Sequence, residues 1–177
     1  MFRPYIDPVK SARFLDDRRL GKQRAETKQV IMIILRKLGV LRDGKRGWFN
    51  HPIVLMYYNN GSSYIKDLVD YFYATVEEWR RRGFTGSIGL SDISHLIDLV
   101  KGSDGTPITH VHEIEYRRVL LFKDPCYYYP KLSEEGLREI IETEPVIING
   151  VNKVIRYRYG EYMRLVSMIK SNQLRCD

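Results

Sequence analysis

A carboxylate at the boundary between a basic and an aliphatic helical face can act as a tuned acid or base. Glu26 has that setting. In the stretch Ser11 to Leu38, the residues Leu15, Arg19, Lys22, Glu26, Gln29, Val30 and Ile33 recur at steps of three and four. On a helix they share one face, basic in its N-terminal half and aliphatic in its C-terminal half. The same spacing also suits a plain ion pair between Glu26 and Lys22, worth about 0.2–0.5 kcal/mol. A second group with chemical capacity is the cluster Tyr127, Tyr128 and Tyr129, bracketed by Lys123 and Lys131. Stacking surface beside cations suits an unstacked base or a nucleic-acid backbone, and equally the edge of a core.

Other chemistries lack support. His110 and His112 alternate, and His51 and His95 have no ligand partner at helical spacing, so zinc is not expected. No phosphate-cradling glycine motif and no nucleophile elbow occurs. Asp16, Asp17, Glu26, Glu113 and Glu115 could gather magnesium, but their spacing fixes no two-metal site. No metal and no cofactor is therefore expected.

The elements that must position these groups follow from pattern. A chain of 177 residues with 44% hydrophobic residues can build one real core. Residues 1–8, with Pro4 and Pro8, read as an extended arm. A long helix from Ser11 to Leu38 follows and stops at Gly39. Residues 39–50 are a basic glycine-rich loop carrying Trp48 and Phe49, and Asn50 is placed as the cap of the next helix. An amphipathic helix from Ser63 ends in Arg80-Arg81-Arg82-Gly83, cations and then a capping glycine. Shorter helices are expected from Ser91, Thr109, Ser133 and Glu161. The Asn149-Gly150 pair between β-branched runs in 146–157 predicts a hairpin. The fold class is mainly α: a single compact helical domain with an N-terminal arm and a C-terminal β-hairpin plus helix.

Charge narrows the partner. The net charge is +7, yet residues 1–46 alone hold 13 Lys/Arg against 5 Asp/Glu. The remainder is close to neutral, so the basic region points to a polyanion, with nucleic acid ahead of a membrane. Cys126 and Cys176 are far apart and suggest no disulfide framework, which favours a reducing intracellular setting. No signal peptide or membrane span is expected.

With these residues laid out, the chain resembles the pyrimidine-dimer DNA glycosylases, the phage-type endonuclease V of dimer excision and its bacterial relatives. The resemblance runs through LDDRRLGKQRAETKQV (15–30), NHPIVLMYY (50–58), RRRGF (80–84) and HEIEYRRVLLFKDPCYYYPK (112–131). It implies a glycosylase-like domain over 1–132 and a C-terminal extension over 133–177 packed on the same domain. It also implies a glycosylase coupled to abasic-site cleavage, acting as a monomer on double-stranded DNA with damaged pyrimidines. The setting would be cytoplasmic, or nuclear in a eukaryotic host. Glu26 falls on the family's catalytic glutamate. The nucleophile would be the N-terminal α-amine, on Met1 or, after its removal, on Phe2, where the family has threonine. Arg3, Arg18, Arg19, Lys22 and Arg24, with Tyr127, Tyr128, Tyr129 and Lys131, would contact DNA. Arg19 stands where the family has a functional histidine, and Ala25 and Gln29 replace two arginines. The alternatives are a glycosylase for another lesion and a non-catalytic DNA-binding module.

Overall fold

The computed structural model describes residues 1–176. Its contacts separate two compact units, Met1–Thr109 and the chain from His110 onward. The first holds α1 (Pro8–Phe14), α2 (Asp17–Lys37), α3 (Pro52–Tyr58), α4 (Ile65–Arg81) and the short α5 (Ser94–Ile97). The second holds α6 (His110–Lys123), α7 (Pro125–Tyr128), α8 (Glu134–Glu142), α9 (Lys153–Tyr157) and α10 (Tyr159–Lys170). No helix is long and apolar enough to cross a membrane among the described residues.

The helix expected from Ser11 to Leu38 is two helices. Asp7 caps α1 by accepting from the Lys10 N–H, with Pro8 in the first turn. Leu15 and Asp16 then turn extended, and Asp16 caps α2 by accepting from the Arg19 N–H. A short acid at this position competes for backbone donors and so starts a new helix instead of continuing the old one. The end of α4 secures the joint: Arg82 donates to Asp17 at 2.8 Å and to the Arg13 carbonyl at 3.2 Å. Gly83 at φ +84 closes α4 as its sequence suggested.

The first core lies between α2 and α4. Leu20, Ile31, Ile34 and Leu35 of α2 and Leu68, Tyr71, Phe72 and Val76 of α4 are buried there. Each such side chain contributes about 1.5–3 kcal/mol relative to exposure. Gly21 is a packing device. A Cβ there would lie 3.1 Å from the Trp79 ring.

The second unit is organised by a buried ion pair. Arg118 donates to Glu115 at 3.0 Å, with side chains 0% and 1% exposed. Arg118 also donates to the Ile140 carbonyl and, at 2.9 Å, to Thr143. Glu115 accepts from the Val146 N–H at 3.0 Å and from Asn152.

These bonds explain why residues 146–157 do not form the expected hairpin. Among the described residues there is no strand. The buried Asn152 side chain accepts from the Ile148 N–H at 2.8 Å and donates to the Val146 carbonyl at 3.0 Å. Ladder positions are thereby filled by side chains. The Asn149-Gly150 turn survives, with Gly150 at φ +80, but it leads into α9.

The cysteines also depart from expectation. Cys126 and Cys176 are joined in a disulfide, with Cα atoms 5.3 Å apart. Their separation in sequence gave no view of their proximity in the fold.

Two outcomes test this unit. Glu115→Ala leaves the Arg118 charge buried without its partner and should cost about 3–5 kcal/mol, read as a lower urea midpoint for the C-terminal transition. His110, at 3.1 Å from Glu113 and also bonded to Glu139, is raised above the ordinary histidine pKa by those two carboxylates. Its contribution is fully present below the unfolded value of about 6.5 and is lost as pH rises through the raised folded value. The melting temperature of wild type relative to His110→Gln should therefore fall across that interval.

Candidate active site

The site is built on α2 and the N-terminal arm. Arg3 fixes the arm and is fully buried. It donates to both oxygens of Asp67 on α4, at 2.8 and 3.0 Å, to the Tyr57 hydroxyl at 3.2 Å and to the Ile6 carbonyl at 2.8 Å. Its guanidinium also lies 4.6 Å from the centre of the Tyr71 ring. Burial works against its charge, but Tyr57 and Asp67 more than offset this and hold the group cationic.

Beyond that anchor the first two residues lie along α2. The Tyr71 hydroxyl donates to the Phe2 carbonyl. The Phe2 N–H donates to Gln23 at 2.7 Å, and Gln23 donates onward to Glu26 Oε2 at 3.1 Å. The Met1 side chain is 2% exposed, with the Thr27 hydroxyl 3.7 Å from its sulfur. The α-amine consequently sits 3.4 Å from Glu26 Oε2, while Glu26 stays one-third exposed. An amine and a carboxylate in contact at a surface opening can pass a proton and stabilise a developing cation.

A cavity of about 560 Å³ opens along the same face of α2. Gln29 and Ile33, one and two turns past Glu26, line it with Met32, Arg36, Lys45, Gly47 and Trp48. Trp48 is 64% exposed in the left-handed region at φ +67, and its ring stacks on His51 at 4.9 Å. His51, not Asn50, caps α3: Nδ1 accepts from the Ile53 N–H at 3.2 Å. Its pKa is pushed down by burial and then by the N-terminal ammonium, with Glu26 pulling the other way.

The structure distributes the other sequence-derived residues unevenly. Arg18 and Lys22 are exposed and, with Glu26, repeat at steps of four along one stripe of α2. Arg19 pairs with Asp16 at 2.6 Å. Arg24 lies over Trp79 at 4.0 Å, its Nε buried with no hydrogen-bond partner among the described residues. Arg3 faces the core, so its geometry is that of an anchor and not of an exposed DNA contact. Tyr127, Tyr128, Tyr129 and Lys131 belong to the second unit. Tyr128 is buried, and Lys131 donates to the Tyr127 hydroxyl at 3.1 Å. Among the described residues no three His, Cys, Asp or Glu side chains gather as a metal site.

Gln23, Asp67 and His51 were missed from sequence. Gln23 stands one turn before Glu26, and Asp67 is a lone acid between Ile65 and Leu68, a position that calls for a buried cation. Those two signals were available.

The family model described as pyrimidine dimer DNA glycosylase matches residues 1–90, slightly more than half of the chain. The chain belongs to the pyrimidine dimer DNA glycosylase family. DNA is thus the substrate of this glycosylase, and DNA repair its setting. The match contains the arm, α2 and the cavity, and ends before the tyrosine cluster at 127–129. No curated protein and no solved structure matches the chain.

Asp67→Ala should strand the Arg3 charge and cost about 3–5 kcal/mol, seen by chemical denaturation of the first unit. Because Arg3 seats the arm, glycosylase activity per folded molecule should fall as well.

Proposed function

We propose that this glycosylase removes a damaged pyrimidine, with cyclobutane dimers as the leading substrate, through a Schiff base formed by its N-terminal amine. The observation that carries the reading is the 3.4 Å contact between the Met1 α-amine and Glu26. An α-amine titrates at roughly 7.7–8.0, so a neutral nucleophilic fraction exists near neutral pH without a buried lysine.

The amine lone pair attacks C1′, and the C1′–N1 bond breaks with its electron pair leaving on the pyrimidine. Glu26 accepts the proton released from nitrogen and stabilises positive charge on the sugar. The C1′–O4′ bond then breaks as Glu26 returns that proton to O4′, which gives the iminium. Glu26, again a carboxylate, takes a C2′ proton, and the C3′–O3′ bond breaks with its electron pair leaving on the 3′ phosphate, which nicks the strand. Arg18 and Lys22 on the exposed stripe contact backbone phosphates and steer the duplex toward Glu26. The lesion reaches the amine by extrusion of a nucleotide. Phe2 is too bulky for ready removal of Met1, so Met1 supplies the amine. Its buried side chain and the Phe2–Gln23 bond hold that residue in place.

Borohydride trapping on a dimer-containing duplex and on an abasic duplex, with EDTA present, tests this directly. A covalent adduct is expected on both. Acetylation of the N-terminus should abolish the adduct, and Glu26→Gln should reduce base release by about 10²-fold or more. Salt-sensitive binding with no adduct would indicate a DNA-binding module, and cleavage only with magnesium a nuclease.

A further inference from the structure

His51 has a chemical position that the amine and Glu26 do not use. Its Nδ1 is occupied by the Ile53 N–H, so in the neutral ring the hydrogen resides on Nε2. Trp48 stacks against the ring with planes inclined by 24°, which fixes its orientation. The imidazole is half-buried and stacks on Trp48, which lines the cavity with Gln29 and Ile33 on the face of α2 just past Glu26. Nε2 has no acceptor among the described residues. A stacked, tautomer-locked ring beside this cavity, with its Nε2–H open to solvent, can donate to an acceptor on a bound substrate.

We propose that His51 is a catalytic residue of base release, its neutral Nε2–H donating a hydrogen bond to a carbonyl oxygen of the departing pyrimidine. The inference rests on the amine-attack reading above. As the C1′–N1 bond breaks, its electron pair passes to the pyrimidine and is shared with the ring carbonyl next to N1. A donor placed at that oxygen stabilises the charge as it develops. No proton leaves His51 in this step, and the cleaved pyrimidine, still tethered through the cyclobutane ring in a dimer, takes its proton from water.

Neutrality is an advantage here. An imidazolium would face the N-terminal cation and the positive charge forming on the sugar, whereas a neutral donor assists the leaving group alone. Neutral histidine as an electrophile is an established way to polarise a carbonyl.

The two substrates separate this role from a structural one. His51→Ser keeps a side-chain cap on α3, since serine is a favoured N-cap, but is too short to place a donor where Nε2 was. Glycosidic cleavage on the dimer duplex, read as the free base recovered after photoreversal of the dimer, should fall by roughly 10²–10³-fold, the loss typical of one such donor. Borohydride trapping on the preformed abasic duplex, which has no base to expel, should match wild type. His51→Asn, a second capping variant, should behave in the same direction. Equal losses on both substrates in both variants, or no loss on either, would overturn the proposal. Base release is scored independently of trapping. A wild type that cleaves the glycosidic bond without an adduct would refute the amine reading, and nicking of the abasic duplex would then replace trapping as the control for His51.

Discussion

The buried contact between Arg3 and Asp67 is the constraint on which the first unit's chemistry depends. An N-terminal arm of seven residues before α1 would ordinarily fray unless it is tied down. A guanidinium held by two carboxylate oxygens, a tyrosine hydroxyl and a backbone carbonyl leaves the arm one seat. An ion pair of this kind contributes little net stability, because desolvation offsets the attraction. Its value is positional. From that anchor Gln23 and Tyr71 direct Phe2 and Met1 along α2, with the Met1 amine 3.4 Å from Glu26.

The same helix carries two kinds of function on adjacent stretches. Its first turns present Arg18 and Lys22 to solvent, and its later turns form the floor of the cavity beside Trp48. Glu26 lies between them. Close approach of α4 at Gly21 holds the opposite face, so the exposed stripe rests on a rigid support. Arg24 joins that support by lying on Trp79, and is less available to DNA than its charge alone suggests.

Much of this was legible in the sequence. The charge boundary at Glu26, the arm and the amphipathic α4 follow from periodicity and from proline and glycine placement. The break at Asp16 has a signal too, since an N-cap acid is followed by a second acid in the first turn, Asp17, but the apolar stripe runs across it. Residues 146–157 show the opposite failure. Their β-branched runs and Asn-Gly turn satisfy a hairpin rule locally, yet a buried asparagine and glutamate supply the backbone with other partners. The resemblance makes Arg3 a DNA contact, and nothing local in the sequence points to its acceptor Asp67, 64 residues away, which holds it in the core. His51 gave no sequence signal, because its role comes from a ring stacked across a loop.

The disulfide gives the second unit a closed topology. Cys126 follows α6 almost directly and Cys176 lies past α10, a separation of 50 residues. Three helices, α8, α9 and α10, therefore sit on a covalent ring whose ends meet beside the start of α7. Even when its helices melt, that ring cannot expand as a free chain does. In the chain-entropy account, a loop of this size removes about 4 kcal/mol of unfolded-state freedom. The buried charges around Arg118 select one arrangement of these helices, and the ring limits how far they can depart from it.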